Sequence, residues 1–476
     1  MKHVPMSPNE ECIVRVLRSL VDQNFIRRTM MIALPIMLQN GITNFVNMLD
    51  NIMVGRIGTD PMTGVSIVNS LLFVWNICVF GGLSGIGIFT AQYCGKNDHE
   101  GIRHTFRLQI LVSLLLVAAG IAIFMLYGET LIGLYLHEDG TGGSAQGTMR
   151  AALQYLSVMC SGFLPFAVTQ AYSTTIRSHG ETVAPMIATF LAVGVNLLGN
   201  YTLIYGKFGA PALGVVGAAA ATVLARFVEL AYIVVWSHTH QARLPFITGA
   251  YRSLYVPGSL ILDCFRKGTP LLVNEALWSA GQATLTQCYS VRGLSVVSAL
   301  NISQTISNVF NVAFIAMGSA IAIIIGQKIG EWGESRAAEL KEEAWKLTLF
   351  SVILCVISGA VMLLIAGVFP RIYNTTGEIR ALATGLICIA AAIMPVHAFN
   401  NAAYFIIRSG GKTFITFLFD SCFCWVVSIP MAWFLSRYTQ VPILPMYAIV
   451  MSLEMIKIVI GAVLMNKGIW IKDLTA

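Results

Sequence analysis

Charged residues are scarce in this 476-residue chain: they make up 11% of it, whereas soluble domains carry about 25%. Hydrophobic residues account for 56%. This composition excludes a soluble domain and is typical of a polytopic membrane protein. The net charge of +7 is explained by basic loops on one side of a membrane, so we infer no nucleic-acid partner.

Motifs of enzymatic and ATP-driven chemistry are also missing. The chain contains neither the HExxH pattern of zinc proteases nor the GxSxG pattern of serine hydrolases. The segment SGGKT at 409–413 resembles the end of a phosphate-binding loop, but Ile406 stands where such a loop requires glycine. We therefore predict a protein that is not an enzyme, holds no cofactor and is driven by an ion gradient.

Paired metal-ligand spacing and a signal peptide are absent as well. The ten cysteines lie mostly inside apolar runs, and Cys422 and Cys424 form only a C-x-C in a helix. We interpret them as reduced packing residues and expect no structural metal. Residues 1–28 lack the apolar core of a signal peptide, so the first span is expected to remain in the mature protein.

Long apolar runs are abundant, and each approaches the roughly 20 residues that a spanning helix needs. Continuous runs predict helices rather than the alternating strands of a barrel. The sequence therefore predicts an all-α polytopic membrane protein with twelve transmembrane helices. The predicted spans are 30–54, 63–91, 107–127, 149–174, 183–205, 212–237, 268–290, 297–326, 345–367, 379–406, 413–435 and 444–465.

The distribution of basic residues predicts the orientation. Most of the 30 Lys and Arg residues fall in the two termini and in the even-numbered connections between spans. Because cytoplasmic loops carry an excess of these residues, both termini are predicted to be cytoplasmic, in a multi-pass protein of the inner (plasma) membrane. The segment 1–28 is then a cytoplasmic N-terminal segment, and 467–476 is a cytoplasmic tail.

The two halves of the chain are related. Residues 35–95 align without a gap to 270–330 at an offset of 235, and shared Pro, Gly and Gln residues support the match. IRSHGET at 176–182 matches IRSGGKT at 407–413 at an offset of 231. Each half has six spans, so the repeats are parallel, with the substrate path expected between them. The predicted domains are an N-lobe at 29–238, a cytoplasmic linker at 239–266 and a C-lobe at 267–466.

One polar face interrupts the first span. Gln39, Thr43, Asn47 and Asp50 recur at helical spacing, so they lie on one side of the helix. Such a face points either into a buried helix contact or into a water-filled cavity. An ionisable Asp50 with no basic residue on its own face favours a functional role, and its hard oxygen ligands suit a proton or a small monovalent cation.

The seventh span has its own stripe, formed by Glu275, Ser279, Gln282 and Thr286. Under the offset of 235 Glu275 corresponds to Asn40, about ten residues and roughly 15 Å from the level of Asp50, so we predict two distinct sites.

Six further ionisable residues lie within or near predicted spans. His397 follows a proline and is either a proton relay or a helix-contact residue. Two pairs with i,i+3 spacing are interpreted as structural ion pairs. Asp420 is expected to meet solvent or lipid headgroups. The two pairs are Arg226 with Glu229 and Glu454 with Lys457, and Arg226 corresponds to Lys457 at the offset of 231.

The chain resembles the multidrug and toxic compound extrusion (MATE) family along essentially its whole length, and it is nearest the NorM-like type. The resemblance rests on LPIMLQ with the downstream LDNIMVGRIG, on NLLGNYTLIYGKFGAPALGVVGAA, and on the paired R-S-x-G-x-T motifs. It implies a V-shaped, two-lobed transporter that exports cationic amphiphilic compounds in exchange for sodium ions or protons. Asp50 matches the first-span aspartate implicated in coupling, and Asn196 and Asn200 match a polar pair of the fifth span.

The second half departs from the family pattern. Trp278 stands where NorM-like proteins carry a glutamate, and His397 stands where they carry an aspartate. Glu275 is therefore at best a displaced equivalent of the usual acid. An aspartate found at the position of Asn200 in some branches is absent too, so proton coupling through that carboxylate is excluded.

Together these observations predict a monomeric ion-coupled antiporter for small cationic substrates in the lipid bilayer. Asp50, Asn196 and Asn200 are the predicted cation-coupling residues. Cation–π contact with Trp278 is expected to assist substrate binding by Glu275 and Gln282. The alternative is a flippase for lipid-linked oligosaccharide or peptidoglycan precursors, which requires a basic cleft. The predicted substrate cavity comprises Gln39, Thr43, Asn47, Glu275, Trp278, Gln282 and His397.

Overall fold

A computed structural model describes residues 22–136, 145–373 and 375–475, so most of the predicted N-terminal segment lies outside the described residues. Helices account for nearly all of the regular structure in these ranges, and they contain no strand. The α-helices are α1 (Gln23–Gly55), α2 (Thr59–Lys96), α3 (His99–Gly133), α4 (Ala145–Ser161), α5 (Phe163–Ser178), α6 (Val183–Tyr205), α7 (Val215–Thr239), α8 (Gly258–Ser290), α9 (Leu294–Trp332), α10 (Ala337–Ile365), α11 (Gly377–Ser409), α12 (Thr413–Phe417), α13 (Ile429–Tyr438), α14 (Ile443–Ser452) and α15 (Glu454–Lys467).

All twelve predicted spans fall on helical segments. Ten segments of the described chain are long and apolar enough to cross a membrane, and the bent pair α4 and α5 adds an eleventh. The one remaining prediction, the seventh span at 268–290, lies in α8, which has 33 residues but is the least apolar of the long helices because it carries the polar stripe of Glu275. The predicted all-α membrane fold is confirmed.

The fourth predicted span is not one straight helix. It breaks at Gly162, and α4 and α5 meet at an angle of 46°. Pro165 cannot donate a backbone hydrogen bond to the preceding turn, and its ring crowds that turn, so the helix bends there. The Gly162 carbonyl accepts from the Phe166 amide at 3.2 Å and also from the Arg226 guanidinium at 3.3 Å.

The chain forms two compact units. The N-unit comprises residues 38–90 and 97–272, and the C-unit comprises the described residues of 22–37, 91–96 and 273–475. In the N-unit the core is built around Trp75, which stacks on Phe163 with ring centroids 4.0 Å apart. In the C-unit a core of small and aliphatic side chains surrounds Ile321, Ile325 and Ala403, all of which are fully buried.

The internal repeat is visible in the backbone. Gly58 and Gly293, which correspond at the offset of 235, both turn the chain with positive φ, at 149° and 117°. Gly180 and Gly411, which correspond at the offset of 231, do the same at 98° and 71°. Since L-residues with a side chain rarely adopt these angles, the matched glycines place equivalent turns in the two halves.

Two repeat-related glycines also meet within the C-unit, where the end of α2 crosses α9. A Cβ atom on Gly95 would lie 1.9 Å from the Gln327 carbonyl oxygen, and a Cβ atom on Gly330 would lie 2.0 Å from the Gln92 carbonyl oxygen. The contact is reciprocal, because Gln92 corresponds to Gln327 and Gly95 to Gly330. The identities that reveal the repeat in the sequence are thus the residues that let two backbones touch.

The C-terminal residues pack against this crossing. Gln92 donates to the Lys472 carbonyl at 3.2 Å and accepts from the Leu474 amide at 2.8 Å. Lys96 pairs with Asp473 at 2.9 Å. Partial burial raises the pKa of Asp473, but the bonds from Lys96 and Thr475 outweigh it and hold that pKa below its ordinary value. The tail is therefore an ordered part of the C-unit.

Replacing Trp470 by alanine should destabilise the protein by about 3–5 kcal/mol, the range measured for large aromatic truncations in packed cores. Trp470 is fully buried, and its indole donates to the Met465 carbonyl at 3.1 Å. The expected lower melting temperature can be measured on detergent-purified protein. Tyr438→Ala, at an exposed aromatic position, is the control, and an unchanged melting temperature for Trp470→Ala would contradict this packing.

Candidate functional site

Asp50 lies near the end of α1, against the polar face of α6. The Asn200 amide donates to the Asp50 carboxylate at 2.6 Å, and it also donates to the Asn196 oxygen at 3.2 Å. Asn196 and Asn200 are four residues apart, so one helical face presents both amides. Three residues that the sequence predicts to act together are thus in contact within the N-unit.

Asn196 joins this group to α7. Its amide donates to the Thr222 hydroxyl at 3.2 Å. With its oxygen and nitrogen exchanged, the amide instead donates to Asp50 at 2.9 Å and accepts from Thr222 at the same 3.2 Å. In both orientations Asn196 bridges Thr222 and the neighbourhood of Asp50. Sequence reasoning missed Thr222, because a single threonine in an apolar helix carries no signal of its own.

The site has an unfilled acceptor. Asn200 is only 1% exposed, yet its Oδ1 atom has no hydrogen-bond partner within the described ranges. Asp50 forms no ion pair in the same ranges. An unpaired carboxylate in a spanning helix is costly, and a buried acceptor without a partner adds to that cost. A proton, or a small cation that takes oxygen ligands, would neutralise the Asp50 carboxylate. A metal cation would also supply a partner for the Oδ1 atom of Asn200.

The donor set does not resemble a transition-metal site. No cluster of three His, Cys, Asp or Glu side chains in the described part of the chain has the arrangement of a metal centre. The oxygens of one carboxylate, two amides and one hydroxyl are hard ligands, whereas soft metals prefer sulfur and imidazole. The arrangement fits a monovalent cation or a proton.

The rest of the first-span stripe faces other surroundings. Gln39 belongs to a second polar cluster of the N-unit, in which it donates to Thr189 at 2.7 Å and accepts from Arg177. Thr43 and Asn47 are exposed, and the Thr43 hydroxyl bonds the Gln39 carbonyl of its own helix at 2.8 Å. The stripe therefore contributes to two separate clusters, one at Gln39 and one at Asp50. Thr43 and Asn47, which lie between them on the helix, are exposed.

The predicted ion pair of Arg226 with Glu229 is wrong. Arg226 donates to the Gly162 carbonyl and lies 4.9 Å from the Phe166 ring centroid. Glu229 accepts from Thr189 at 2.7 Å and forms no ion pair with Arg226 among the described residues. The Gly162 carbonyl takes the place of Glu229 as the direct partner of Arg226, and sequence spacing does not reveal that competition.

The stripe of the seventh span lies on α8 in the C-unit. Glu275 is half-buried, and its carboxylate makes no hydrogen bond to another described side chain. Trp278, three residues later, is 42% exposed, and Gln282 is exposed. Since a carboxylate and an aromatic face stand one turn apart on an uncovered surface, they can meet the same ligand.

His397, on α11, stacks against Phe314, with ring centroids 6.2 Å apart and an interplanar angle of 24°. Within the described residues, His397 forms no hydrogen bond with Glu275, Trp278 or Gln282, the residues of α8 that were predicted to share a cavity with it.

The predicted pair of Glu454 with Lys457 is present, at 3.1 Å. Asp420, which was expected to meet solvent or lipid headgroups, is 24% exposed, but it also pairs with Lys457 at 3.2 Å, which the sequence did not indicate. Asn274 joins the same group by donating to Asp420 at 3.3 Å. Asn274 corresponds to Gln39 at the offset of 235, and Asp420 corresponds to Thr189 at the offset of 231. That correspondence is the signal by which the sequence could have placed both residues.

Comparison with known proteins identifies the fold and the family. The MatE family model matches residues 35–202 and 270–434, one segment in each half. The chain is 23% identical over 421 residues to a probable multidrug resistance protein NorM of Thermotoga maritima, covering 87% of this chain and 86% of that protein. It is 24% identical over 413 residues to a protein of the same name from Pasteurella multocida, covering 86% of both.

Solved structures share the fold at lower identity. An outward-facing multidrug resistance MATE family transporter superposes with a TM-score of 0.81 at 17% identity, covering 94% of this chain and 98% of that one. A mutant of the Vibrio cholerae MATE transporter VcmN superposes with a TM-score of 0.81 at 15% identity, covering 93% and 97%. The family match covers well over half of the chain. The protein is therefore a multi-pass membrane transporter, not an enzyme, and belongs to the MATE family.

Proposed function

We propose that this protein is a secondary antiporter that exports cationic amphiphilic compounds in exchange for sodium ions or protons. The observation that carries the proposal is the Asp50 site, in which a carboxylate without an ion pair lies beside the unfilled Oδ1 acceptor of Asn200. The names of relatives as multidrug resistance proteins support the substrate class. We further propose a monomer in the inner (plasma) membrane with both termini in the cytoplasm.

Coupling requires that the cation and the drug each bind one conformation of the transporter better than the other. The coupling ion neutralises Asp50 and occupies the amide oxygens of Asn196 and Asn200. Loading this site changes the charge and the hydrogen bonding between α1 and α6, since Asn200 bridges the two helices through Asp50. We assign the conformational response to the hydrogen bond between Asn200 and Asp50.

For the drug we propose the surface of α8. The Glu275 carboxylate supplies charge complementarity, and the exposed Trp278 ring supplies a face for cation–π and stacking contacts. Gln282, one turn further, offers a hydrogen-bonding group. A flippase for polyanionic lipid precursors needs Lys and Arg at these places, and acids at Asp50 and Glu275 argue against it.

The test is efflux of a fluorescent organic cation from proteoliposomes under an imposed sodium gradient and, separately, an imposed pH gradient. One of the two gradients is expected to drive transport, and it identifies the coupling ion. Protein-free liposomes and liposomes without a gradient are the controls. Failure of both gradients, in a preparation that moves a lipid-linked precursor across the bilayer, would replace the antiporter by the flippase.

Asn200→Ala is expected to weaken the apparent affinity for the coupling ion about tenfold to a hundredfold, the effect of losing one or two charge-assisted contacts. The maximal rate at saturating ion should fall less, because Asp50 remains. The measurement is the dependence of efflux on the concentration of the ion. Thr202→Ala, two residues further along α6 with its hydroxyl bonded only to its own helix, is the matched control. An unchanged ion dependence would remove Asn200 from the site.

A further inference from the structure

Part of the predicted linker is packed into the N-unit. Residues 243–250 form a segment, the linker cap, that contains a short 3₁₀ turn at Pro245–Ile247. Burial on the scale found here is typical of a packed element, whereas a flexible connection leaves its side chains in solvent. The chain between α7 and α8 is therefore anchored. Four apolar side chains of the cap are each 2% exposed or less: Leu244, Phe246, Ile247 and Ala250.

Two arginines of α3 hold the linker cap by its backbone. Arg103 donates to the Phe246 carbonyl at 3.3 Å. Arg107, which is 8% exposed, donates to the Gly249 carbonyl at 3.0 Å and to the Ala250 carbonyl at 2.7 Å. A guanidinium does not lose its proton in proteins. These contacts are therefore available at every physiological pH, and a pH dependence of the cap must come from another group.

His179 contacts the same cap from the turn that follows α5. Its ring lies 6.2 Å from the Phe246 ring, centroid to centroid, and its imidazole hydrogen-bonds to the Arg243 backbone. The Nδ1 atom is buried and has no hydrogen-bond partner among the described residues, so the bond to Arg243 uses Nε2. A neutral imidazole with its proton on Nε2 fits this arrangement, since Nδ1 is then a bare acceptor. Protonation would add a buried N–H at Nδ1 with nothing to accept it, which is unfavourable.

The internal repeat distinguishes His179 from its counterpart. At the offset of 231 it corresponds to Gly410, in the second R-S-x-G-x-T motif. A Cβ atom on Gly410 would overlap the Trp470 backbone carbonyl, so the C-terminal tail covers that turn with no side chain beneath it. In each half, the segment after the sixth span thus covers the R-S-x-G-x-T turn. Of these two covered positions, the one in the N-unit carries a titratable side chain.

Neighbouring charges act on His179 in both directions. His99, at the start of α3, opposes a positive charge on the imidazole, and Glu181, in the same turn as His179, favours it. Burial is the largest effect and holds the pKa of His179 below its ordinary value. The arginines that adjoin His179 or the cap keep their charge over the range in which histidine titrates: Arg103, Arg177 and Arg243.

The sign of the pH dependence follows from this lowered pKa. A histidine released into solvent has an ordinary pKa of about 6.5, so below that pH an open cap takes up a proton more readily than a closed one. The closed cap is therefore most favoured above about pH 6.5, and it loses stability as the pH falls below that value.

We propose that the linker cap is a pH-sensitive clasp, closed while His179 is neutral and opened when acid protonates it. Opening separates the Arg243 carbonyl and the Phe246 ring from His179 and frees the chain that joins the sixth and seventh spans. Under the proposed orientation this end of the N-unit lies in the cytoplasm, so the clasp responds to cytoplasmic acid. The clasp goes beyond the proposed antiport function, and it is tested without drug and without an ion gradient.

The experiment is hydrogen exchange with mass spectrometry on detergent-purified full-length protein, at about pH 7.5 and about pH 5.5, on either side of the histidine range. The readout is the protection of the backbone amides of residues 243–250. The test variant is His179→Gln, whose amide can still donate to the Arg243 carbonyl but takes up no proton in this range. His240→Gln is the matched control, because His240 bonds the Trp236 carbonyl at 2.9 Å and stacks on the Trp236 ring of the helix that it follows. Proteins are compared at the same pH, which removes the intrinsic pH dependence of exchange.

Protonation of one histidine shifts the equilibrium between closed and open cap by up to about tenfold at one pH unit below its ordinary pKa. Relative to His179→Gln, the wild type is therefore expected to lose about threefold to tenfold of the cap protection on going to the lower pH. His240→Gln should lose as much as the wild type. An equal pH response of the wild type and His179→Gln would overturn the proposal.

If His179→Gln does not fold, Glu181→Gln decides. This variant removes the charge that favours a protonated imidazole, but it keeps the side-chain oxygen that accepts from the Val183 amide at 3.1 Å. The loss of cap protection should then move to lower pH than in the wild type. A transition at the wild-type pH in folded Glu181→Gln protein would remove His179 from the clasp.

Discussion

Asp50→Asn is expected to reduce ion-driven efflux to the level of protein-free liposomes. Asparagine keeps the shape of the side chain and can still contact Asn200, so the packing of α1 against α6 should survive. It cannot bind a proton or carry the charge that holds a cation. A gradient of the coupling ion then has no differential interaction with the two conformations, and it cannot drive transport.

In the Asp50→Asn variant, drug binding is expected to persist while ion-driven transport is lost. Because Glu275 and Trp278 are untouched, we expect binding of a fluorescent cation to change less than threefold, while gradient-driven efflux is lost. Fluorescence polarisation measures the first quantity, and proteoliposome efflux measures the second. Asp263→Asn, at an exposed acid of α8, is the matched control and should transport like the wild type.

Full ion-coupled efflux by Asp50→Asn would show that the Asp50 site is structural, and the coupling assignment would then have to move to the C-unit. Loss of drug binding together with transport would instead indicate that Asp50 holds the substrate. Each result identifies a different role for the carboxylate.

Gly330→Ala and Gly95→Ala are each expected to destabilise the protein by about 3 kcal/mol or more. The added methyl group would lie 2.0 Å from the Gln92 carbonyl oxygen in the first variant and 1.9 Å from the Gln327 carbonyl oxygen in the second. These are backbone atoms in the middle of a helix crossing, so no side-chain rotation relieves the overlap. The two helices must move apart by an ångström or so.

Separation of the helices disrupts further contacts. Gln92 donates to the Ser409 carbonyl at 3.0 Å and holds the C-terminal tail. We expect both variants to accumulate poorly and to melt well below the wild type, as measured by size-exclusion profiles and thermal unfolding in detergent. Gly194→Ala is the control, because a methyl group at this helical glycine meets no atom within 4 Å. Wild-type melting of Gly330→Ala would contradict the close crossing.

Residues that are equivalent in the internal repeat also contact one another in the structure. The shared Gln and Gly at offsets of 235 mark homologous positions in the sequence, but nothing in the sequence indicates that those positions touch each other. They do so because the two segments that carry them cross within one unit. The same holds for Asn274 and Asp420, whose counterparts Gln39 and Thr189 also meet. Equivalent residues thus form equivalent clusters of different charge.

By itself the sequence determined the helical membrane fold and the internal repeat, because hydrophobic run length and helical periodicity are local properties. The grouping of Asp50 with Asn196 and Asn200 came from the resemblance to the family, because local periodicity does not relate residues 150 positions apart. Tertiary structure alone decided the partners of Arg226 and Asp420, the bend at Gly162 and the contribution of Thr222. Those features depend on which donor reaches a given acceptor across helices. A pair spaced one turn apart forms only if no better partner lies on a neighbouring helix, and one-dimensional spacing does not contain that information.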